Sequence, residues 1–485
     1  MSEPGEAAGQ PRQVTESFID GSPVAANETY DNIDPSTGLS LGEVSRAGRE
    51  QVDQAVAAAR AAHRTWRTTT PEQRAGLLCR LADLIVEQAD ALARLDSEDT
   101  GKPLSQALGD ARVCARYFRF YGHAIDSYYG LSIPLRQDLH VYTRREPYGV
   151  TGHLLAWNYP LQLLARQVAP AVATGNCTVV KPADETPRSA VTVARLAIEA
   201  GLPQGVINVV TGLGTEAGAA LAYHSGVDHL GFVGSTRVGA LVAAAGAERV
   251  TPVTLELGGK SAHLVFADAD VEKAARVVAS AILQNAGQTC SAGSRVLVHE
   301  SVHAELVERV VGHFANVSIG RGLDDPDLGP LVSRKQQDRV RGYVESAGTG
   351  EILYGGTVAE PDGITEGAYF TPTLIDGVDP ASPLAQEEVF GPVLTTMRFS
   401  TEEEAVALAN GTDYALLGAV WTSDLSRAHR VAAEVEAGQV YVNTYGAGGG
   451  VELPFGGFRK SGYGREKGAE ALDAYTATKT VVVQL

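Results

Sequence analysis

The chain has 485 residues, which is long for a single hydrophobic core, so two or more domains are expected. A hydrophobic content of 44% with 20% charged residues is ordinary for a soluble globular protein. The formal net charge of −18 argues against nucleic acid or an anionic membrane as the main partner. No uninterrupted apolar run approaches the length that spans a membrane.

The N-terminus and the cysteines indicate the cellular setting. The first residues are acidic and lack the basic start and apolar core of a signal peptide, and residues 1–13 are expected to form a disordered tail. The cysteines are scattered without a CxxC pair, which indicates neither a disulfide framework nor a zinc site, and no metal site is expected. We therefore expect a cytoplasmic protein. The four cysteines are Cys79, Cys114, Cys177 and Cys290.

Helical patterns follow a short strand at residues 18–21. Apolar spacing predicts a first helix near Arg49–Trp66 and a third over about 103–127. Between them, Thr70 is the expected N-cap of one long helix that Gly101 ends.

From residue 149 the pattern changes to strands and helices in alternation. Such alternation predicts a parallel sheet with helices on both faces, with ligands at the carboxyl ends of the strands. The predicted strands are 149–155, 177–180, 206–210, 229–233 and 250–255, and the predicted helices are 161–172, 187–200, 216–223 and 236–245.

A second α/β unit is predicted from about residue 259 to the 450s. Residues 131–142, broken by Pro134, predict an exposed hairpin, and residues 476–485 predict a terminal strand able to pair with it. Because exposed strand edges usually find a partner, we expect assembly contacts at these two segments.

Residues 285–295 hold Cys290 in a Gly- and Ser-rich loop between an apolar helix at 271–283 and a short strand at 296–298. A buried core cysteine normally sits inside a run of hydrophobes, whereas these small and polar neighbours would leave a thiol reachable. A nucleophilic thiol also needs a nearby base and a donor pocket for the oxyanion that it creates.

Several motifs, in this order, make the sequence resemble the NAD(P)-dependent aldehyde dehydrogenases of the hydrolytic, non-acylating type. The resemblance covers nearly the whole chain. The matching segments are Trp157-Asn158-Tyr159-Pro160, Lys181-Pro182-Ala183, Phe232-Val233-Gly234-Ser235-Thr236, Glu256-Leu257-Gly258-Gly259-Lys260, Gly287-Gln288-Thr289-Cys290, Glu388-Val389-Phe390-Gly391-Pro392 and Pro454-Phe455-Gly456-Gly457.

The resemblance implies an α/β fold with a Rossmann-like cofactor domain, a second α/β catalytic domain and a small β oligomerisation element. The expected cofactor domain covers residues 1–127 and 148–258, and the catalytic domain covers 259–460. Residues 128–147 and 461–485 would form the oligomerisation element. A homodimer or homotetramer is implied.

The resemblance also assigns the catalytic residues. Cys290 would attack an aldehyde, and Asn158 with the backbone N–H of Cys290 would stabilise the oxyanion. Glu256 would activate the water that hydrolyses the resulting thioester. The plainer alternatives are an inert cysteine, a turn asparagine before Tyr159, and a glutamate that caps a turn or joins a surface ion pair.

For the cofactor, Lys181 is expected to reach ribose hydroxyls, and the carboxylate of Asp184 should repel a 2′-phosphate, which favours NAD over NADP. The phosphates would lie beside residues 234–239, at a helix N-terminus. Glu388 and Phe390 would hold the nicotinamide ribose and ring, although a loop glutamate and a core phenylalanine are the plainer interpretations. The predicted cofactor residues are Leu154, Leu155, Ala156, Trp157, Lys181, Asp184, Gly214, Gly234, Ser235, Val238, Leu257, Glu388 and Phe390.

The predicted substrate residues are Tyr159, Leu163, Arg166, Thr289, Ser291 and Phe455. Arginine can pair bidentately with a carboxylate, and semialdehyde-oxidising relatives often carry arginine where Arg166 falls, as do some that act on aryl aldehydes. The hypothesis is that Arg166 receives an acidic or polar substrate tail. A surface or inter-subunit ion pair is the equally weighted alternative.

Three other functions stay open from the sequence. A CoA-acylating dehydrogenase is one, although the retained Glu256 argues against it. The second is a catalytically silent binding protein on the same fold, and the third is a thiol hydrolase that uses no nucleotide. The expected partner is a small-molecule aldehyde, with no nucleic acid and no membrane.

Overall fold

The computed structural model describes residues 14–348, 350–446 and 450–485. The predicted N-terminal tail lies outside the described residues. Within them, no helix is long and apolar enough to cross a membrane.

Short strands and four helices form the part of the chain before the predicted hairpin. These elements are β1 (Val14–Thr15), β2 (Ser17–Ile19), β3 (Ser22–Val24), β4 (Thr29–Ile33), β5 (Ser40–Ser45), α1 (Arg49–Trp66), α2 (Pro71–Glu87), α3 (Ala89–Thr100) and α4 (Leu104–Ala124), with β6 (Ser132–Ile133) and β7 (Leu139–Pro147) following as the hairpin.

The single helix predicted between Thr70 and Gly101 is wrong, because the structure has α2 and α3 there. Gln88, with φ −101° and ψ 12°, leaves the helical conformation and separates them. Both helices pack against α4, so the apolar spacing continues across the break and hides it. Thr70 caps α2 through its side chain, and Gly101 ends α3 in the left-handed conformation, with φ 78°.

Strands and helices alternate through the next part of the chain, as the sequence predicts. They are β8 (Val150–Leu154), α5 (Pro160–Ala173), β9 (Cys177–Lys181), α6 (Arg188–Glu199), β10 (Ile207–Val209), α7 (Ala219–Ala222), β11 (His229–Val233), α8 (Thr236–Arg249) and β12 (Val253–Glu256).

The remaining elements form the second α/β unit and the C-terminal segment. They are β13 (Ala262–Val265), α9 (Val271–Leu283), β14 (Arg295–His299), α10 (His303–Ala315), α11 (Arg334–Glu345), β15 (Glu351–Tyr354), β16 (Thr373–Asp376), α12 (Pro383–Gln386), β17 (Val393–Phe399), α13 (Glu402–Asn410), β18 (Tyr414–Ala415), β19 (Leu417–Trp421), α14 (Leu425–Glu434), β20 (Gln439–Val442), β21 (Phe458–Arg459), β22 (Gly462–Tyr463), α15 (Ala471–Ala474) and β23 (Thr476–Gln484).

Two large sheets organise the described residues. The first has the order β22-β12-β11-β8-β9-β10-β2-β3, and its strands from β12 to β10 are parallel. The second has the order β15-β16-β17-β14-β13-β19-β20 and is parallel except for β15. Buried Val, Leu, Ile and Ala side chains fill the space between sheets and helices. The predicted α/β fold is confirmed, whereas the domain boundaries stay a prediction.

A third sheet joins the hairpin to the end of the chain in the order β23-β7-β6. β23 pairs antiparallel with β7 from Thr476 opposite Pro147 to Gln484 opposite Leu139. The predicted pairing of the terminal strand with the hairpin is therefore confirmed. Val482 on β23 is 57% exposed, so this sheet offers an apolar strand to solvent.

Candidate active site

A cavity of about 510 Å³ lies where the carboxyl ends of strands in the first sheet face the second α/β unit. In the register of the first sheet, Val233 at the end of β11 is opposite Glu256 at the end of β12. The cavity collects most of the residues that the sequence singles out. Those lining it are Ala156, Trp157, Asn158, Tyr159, Leu163, Arg166, Gly234, Ser235, Glu256, Leu257, Thr289, Cys290, Ser291, Glu388, Phe390 and Phe455.

Cys290 reaches the cavity because the backbone turns sharply after α9. Asn285 and Ala286 have positive φ values of 50° and 53° and redirect the chain. The side-chain amide of Asn285 donates to the carbonyl of Asn158 at 2.9 Å, which fixes the cysteine loop against the end of β8. Burial and the nearby Glu256 carboxylate raise the pKa of the Cys290 thiol well above its ordinary value.

Asn158 lies beside the same loop and is only 4% exposed. Its side-chain amide donates to the backbone carbonyl of Gln288 at 3.0 Å. An amide nitrogen carries two hydrogens, so this contact orients the group and leaves a second donor for a ligand in the cavity.

Glu256 ends β12 and is 1% exposed. Arg166 donates from Nη2 to its Oε2 at 3.0 Å, whereas Oε1 has no hydrogen-bond partner among the described residues. Burial raises the pKa of the Glu256 carboxyl, and the charge of Arg166 acts in the opposite direction.

Arg166 lines the cavity from α5, but its guanidinium is occupied by protein carboxylates. It forms ion pairs with Glu256 and with Glu466, and the three side chains are all buried. The predicted alternative of an ion pair is therefore right in kind, but its surface location is wrong, because the pair is buried inside one chain. The hypothesis that Arg166 receives a substrate tail stays a prediction. Such a tail would compete with Glu256 and Glu466 for the guanidinium.

A crevice leads from the cavity along the end of β11. Ser235 caps α8 by accepting a hydrogen bond from the backbone N–H of Val238 at 3.4 Å. Leu257 packs against Gly239 of that helix so closely that a Cβ there would clash with its side chain. The N-terminus of α8 thus opens beside Gly234 with its backbone donors available to an anionic group.

Two aromatic rings and a carboxylate also line the cavity. Trp157 and Phe390 meet edge to face, with ring centroids 5.2 Å apart. Burial raises the pKa of Glu388 to about 7, and the backbone N–H of Gly259 donates to its Oε1 at 3.1 Å. A Cβ at Gly258 would clash with this carboxylate, so glycine leaves it room.

A second polar cluster lies at the end of β9, apart from the lining of the cavity. Lys181 forms an ion pair with Asp184, and the backbone N–H of Gly214 donates to Asp184 Oδ1 at 3.0 Å. Leu154 and Leu155 are buried beside this strand, and Leu155 N–H bonds the Lys181 carbonyl. An ammonium next to a carboxylate suits a pair of hydroxyls better than a phosphate.

Several residues in or beside the cavity carry no local sequence signal. Glu466 holds Arg166, and Lys467 lies beside the ring of Phe455, 4.8 Å from Nζ to the centroid. They come near Cys290 only because the chain folds back across more than 175 residues, so spacing in the sequence could not reveal it. Others in this group are Gln106, Asp110, Gln162, Gln439, Tyr441 and Tyr445.

The profile of the aldehyde dehydrogenase family matches residues 23–481. The chain belongs to this family. Solved structures of aldehyde dehydrogenases match the chain over almost its whole length. A Burkholderia cenocepacia protein assigned as an aldehyde dehydrogenase is 48% identical, with a TM-score of 0.95, and the match covers 97% of this chain and 100% of that one.

Two further members of the family were solved with ligands. The NAD+ complex of an aldehyde dehydrogenase from Bacillus cereus is 39% identical, covers 98% of this chain and 97% of its own, and has a TM-score of 0.95. A mutant of the indole-3-acetaldehyde dehydrogenase of P. syringae, in complex with NAD+ and IAA, gives the same identity, coverage and TM-score.

Proposed function

We propose that the chain oxidises an aldehyde to its carboxylic acid, with NAD as hydride acceptor and Cys290 as nucleophile. The observation that carries the proposal is the meeting of Cys290, Asn158 and Glu256 at one cavity, from positions spread over more than 130 residues of the chain. Family membership and the NAD+ complexes of the two relatives support it.

The first step forms a bond between the Cys290 sulfur and the aldehyde carbon. The carbonyl oxygen becomes an oxyanion, and the free N–H of the Asn158 amide and the backbone N–H of Cys290 are the proposed donors to it. Losing one such donor raises the barrier by about 2.7–4 kcal/mol in comparable enzymes. Burial favours the neutral thiol, so its proton must pass to solvent water before the sulfur attacks as a thiolate.

The residues around the crevice fit NAD, which accepts a hydride when it is bound. Ser235 and Val238 present a helix N-terminus to the diphosphate, Lys181 and Asp184 suit the ribose hydroxyls, and Glu388 is placed for the second ribose. The carboxylate of Asp184 disfavours the 2′-phosphate of NADP.

Hydrolysis of the resulting thioester needs a water that loses a proton as it attacks. Glu256 is the proposed acceptor, since its Oε1 has no hydrogen-bond partner among the described residues and the side chain lines the cavity. A raised pKa suits a base that must take up a proton near neutral pH. Transfer of the acyl group to CoA would make this base unnecessary.

For the substrate, we propose an aldehyde with an aromatic or other flat apolar group. Tyr159, Phe455 and Tyr445 give the cavity an aromatic wall, and Arg166 already has two carboxylate partners. The relative from P. syringae acts on an indole aldehyde, which is consistent with this class. An acid semialdehyde is the second candidate, on account of the cation Lys467 in the cavity.

Assembly into a homodimer or homotetramer through the exposed sheet of β7 and β23 is also proposed, and the cytoplasmic location stays a prediction.

The reaction is tested by following NADH formation with phenylacetaldehyde, benzaldehyde and succinic semialdehyde, with and without CoA. We expect NADH and free acid without CoA, and the highest kcat/KM for an aryl aldehyde. NADH formation that requires CoA, with acyl-CoA as product, would refute the hydrolytic reaction.

A further inference from the structure

Three charged side chains form a closed group behind the nucleophile. Arg166 pairs with Glu256 through Nη2 and with Glu466 through Nε, and all three are at most 6% exposed. Two buried carboxylates share a single guanidinium, so the group depends on the arginine. Without it, two negative charges would face each other away from water, and at least one carboxylate would take up a proton.

Glu466, one of the two partners of the guanidinium, is itself held by a series of hydrogen bonds. Gln167 donates from Nε2 to Glu466 Oε1 at 2.8 Å, and its Oε1 lies 3.0 Å from Nδ1 of His153. Burial lowers the pKa of His153 to about 4, so the ring is neutral and donates from Nδ1. The ring of Phe455, with its centroid 5.0 Å from the guanidinium carbon of Arg166, closes another side.

This arrangement fixes one oxygen of the base, and the Cys290 thiol also interacts with the carboxylate. Oε2 of Glu256 receives the Arg166 hydrogen bond. A carboxylate that is anchored through one oxygen can present the second to a water without losing its orientation.

We propose that Arg166 is a positioning residue that keeps the base Glu256 ionised and oriented toward the acyl group on Cys290. The inference deepens the proposed function and rests on it. Arg166 therefore acts on thioester hydrolysis and not on recognition of a substrate carboxylate. Glu466 has the opposite effect on the charge of the base, because it competes for the same guanidinium.

Other charged and titratable groups also act on this site. Besides Arg166 and Glu466, they include Cys290, Lys467, Glu388, Tyr117, Tyr121 and Tyr475. Arg166→Leu and Glu466→Gln leave all of these other groups in place. A change of the pH profile in these variants therefore reports on the group formed by Arg166, Glu256 and Glu466.

The test measures the pH dependence of steady-state turnover and of the pre-steady-state NADH burst. In Arg166→Leu, the acidic limb of the pH–rate profile of hydrolysis should move to higher pH by about 1–3 units. This shift is expected when a carboxylate loses an adjacent arginine. Below the new midpoint, turnover should fall by about tenfold per pH unit, and a stoichiometric NADH burst should appear because the acyl-enzyme accumulates. Arg166→Lys should return the midpoint toward the parent value.

Glu466→Gln keeps the size of the side chain and should move the acidic limb to lower pH. Arg188→Leu is the matched control, since Arg188 also bridges two carboxylates, those of Glu98 and Asp99, away from the cavity. It should lower thermal stability and leave the limb in place. An unmoved limb in folded Arg166→Leu, or shifts of the same sign in Arg166→Leu and Glu466→Gln, would overturn the inference. If the parent itself forms no NADH with any aldehyde, the proposed function fails instead.

Discussion

Cys290 is surrounded by groups that act on its thiol in opposite directions. Burial and the Glu256 carboxylate raise its pKa, and the Arg166 guanidinium lowers it. We expect Glu256→Gln to speed alkylation of Cys290 by iodoacetamide near neutral pH, because a larger thiolate fraction forms, and Arg166→Leu to slow it. Peptide mass spectrometry after timed alkylation gives both rates.

The same experiment has an internal control in Cys79, which is partly exposed and lies outside the cavity. Its alkylation rate should be the same in the parent and both variants. Slower alkylation of Cys290 in Glu256→Gln would contradict the account, since it would mean that Glu256 removes the thiol proton.

The sequence predicted which three residues would meet at the cavity but not which side chains they contact there. Cys290, Asn158 and Glu256 stand in recognisable motifs, and the structure brings them to one cavity. The partner of Arg166, Glu466, lies 300 residues further along the chain. No periodicity or local spacing joins such positions, so the sequence left open whether Arg166 meets solvent, substrate or protein.

Neighbouring strands of the second sheet are joined at their carboxyl ends by one carboxylate. Asp268, just after β13, accepts hydrogen bonds from Thr422 and Ser423, which follow β19, and pairs with Arg427 of α14. Burial acts against its charge, but these hydrogen bonds outweigh it and lower the pKa of Asp268 to about 2.

Replacing Asp268 by asparagine should therefore lower the free energy of unfolding at neutral pH by about 1–3 kcal/mol. The folded-state pKa is depressed, so the stability from this carboxylate is present above its unfolded value of about 3.9 and is lost as the pH falls toward 2. The difference between parent and variant should shrink over that window in urea melts. Glu403→Gln, at an exposed position of α13, should change stability by less than about 0.5 kcal/mol. An equally small change in Asp268→Asn would contradict the assignment.

Elements with a clear apolar period were predicted well, and those without one were not. Helix α1 has the predicted bounds, whereas α8 continues to Arg249, beyond the predicted end at 245. The next strand begins only at Val253, because Val250 takes a left-handed conformation with φ 57° at the end of the helix. A valine there gives no warning of a helix end, since this conformation favours glycine. The two-residue strand β22 is too short to show any pattern.

The exposed sheet of β7 and β23 is the main candidate for assembly of the whole molecule. Val482 and Val483 are 57% and 42% exposed on β23, beside a strand edge with unpaired backbone groups. We expect light scattering to give a mass of two or four times 50.9 kDa for the parent. The double variant Val482→Lys and Val483→Lys should shift the mass toward the monomer.

Leu425→Lys is the control for that shift, because Leu425 is a 74% exposed apolar residue on α14, in another part of the fold. Its mass should equal that of the parent. A monomeric parent, or an unchanged mass in the double valine variant, would contradict assembly through this sheet. The sequence predicted the pairing of hairpin and tail, but an interface between copies depends on surfaces that one chain does not reveal.

The acyl-enzyme itself gives the most direct measurement of the central claim, that Cys290 carries the acyl group and Glu256 directs water to it. Glu256→Gln is mixed with NAD and an aryl aldehyde, quenched with acid, and digested for mass spectrometry. We expect one NADH per chain and a Cys290 peptide heavier by the acyl group, whereas the parent releases free acid. Parent-like turnover by Glu256→Gln, or an acyl group on any residue other than Cys290, would contradict this claim.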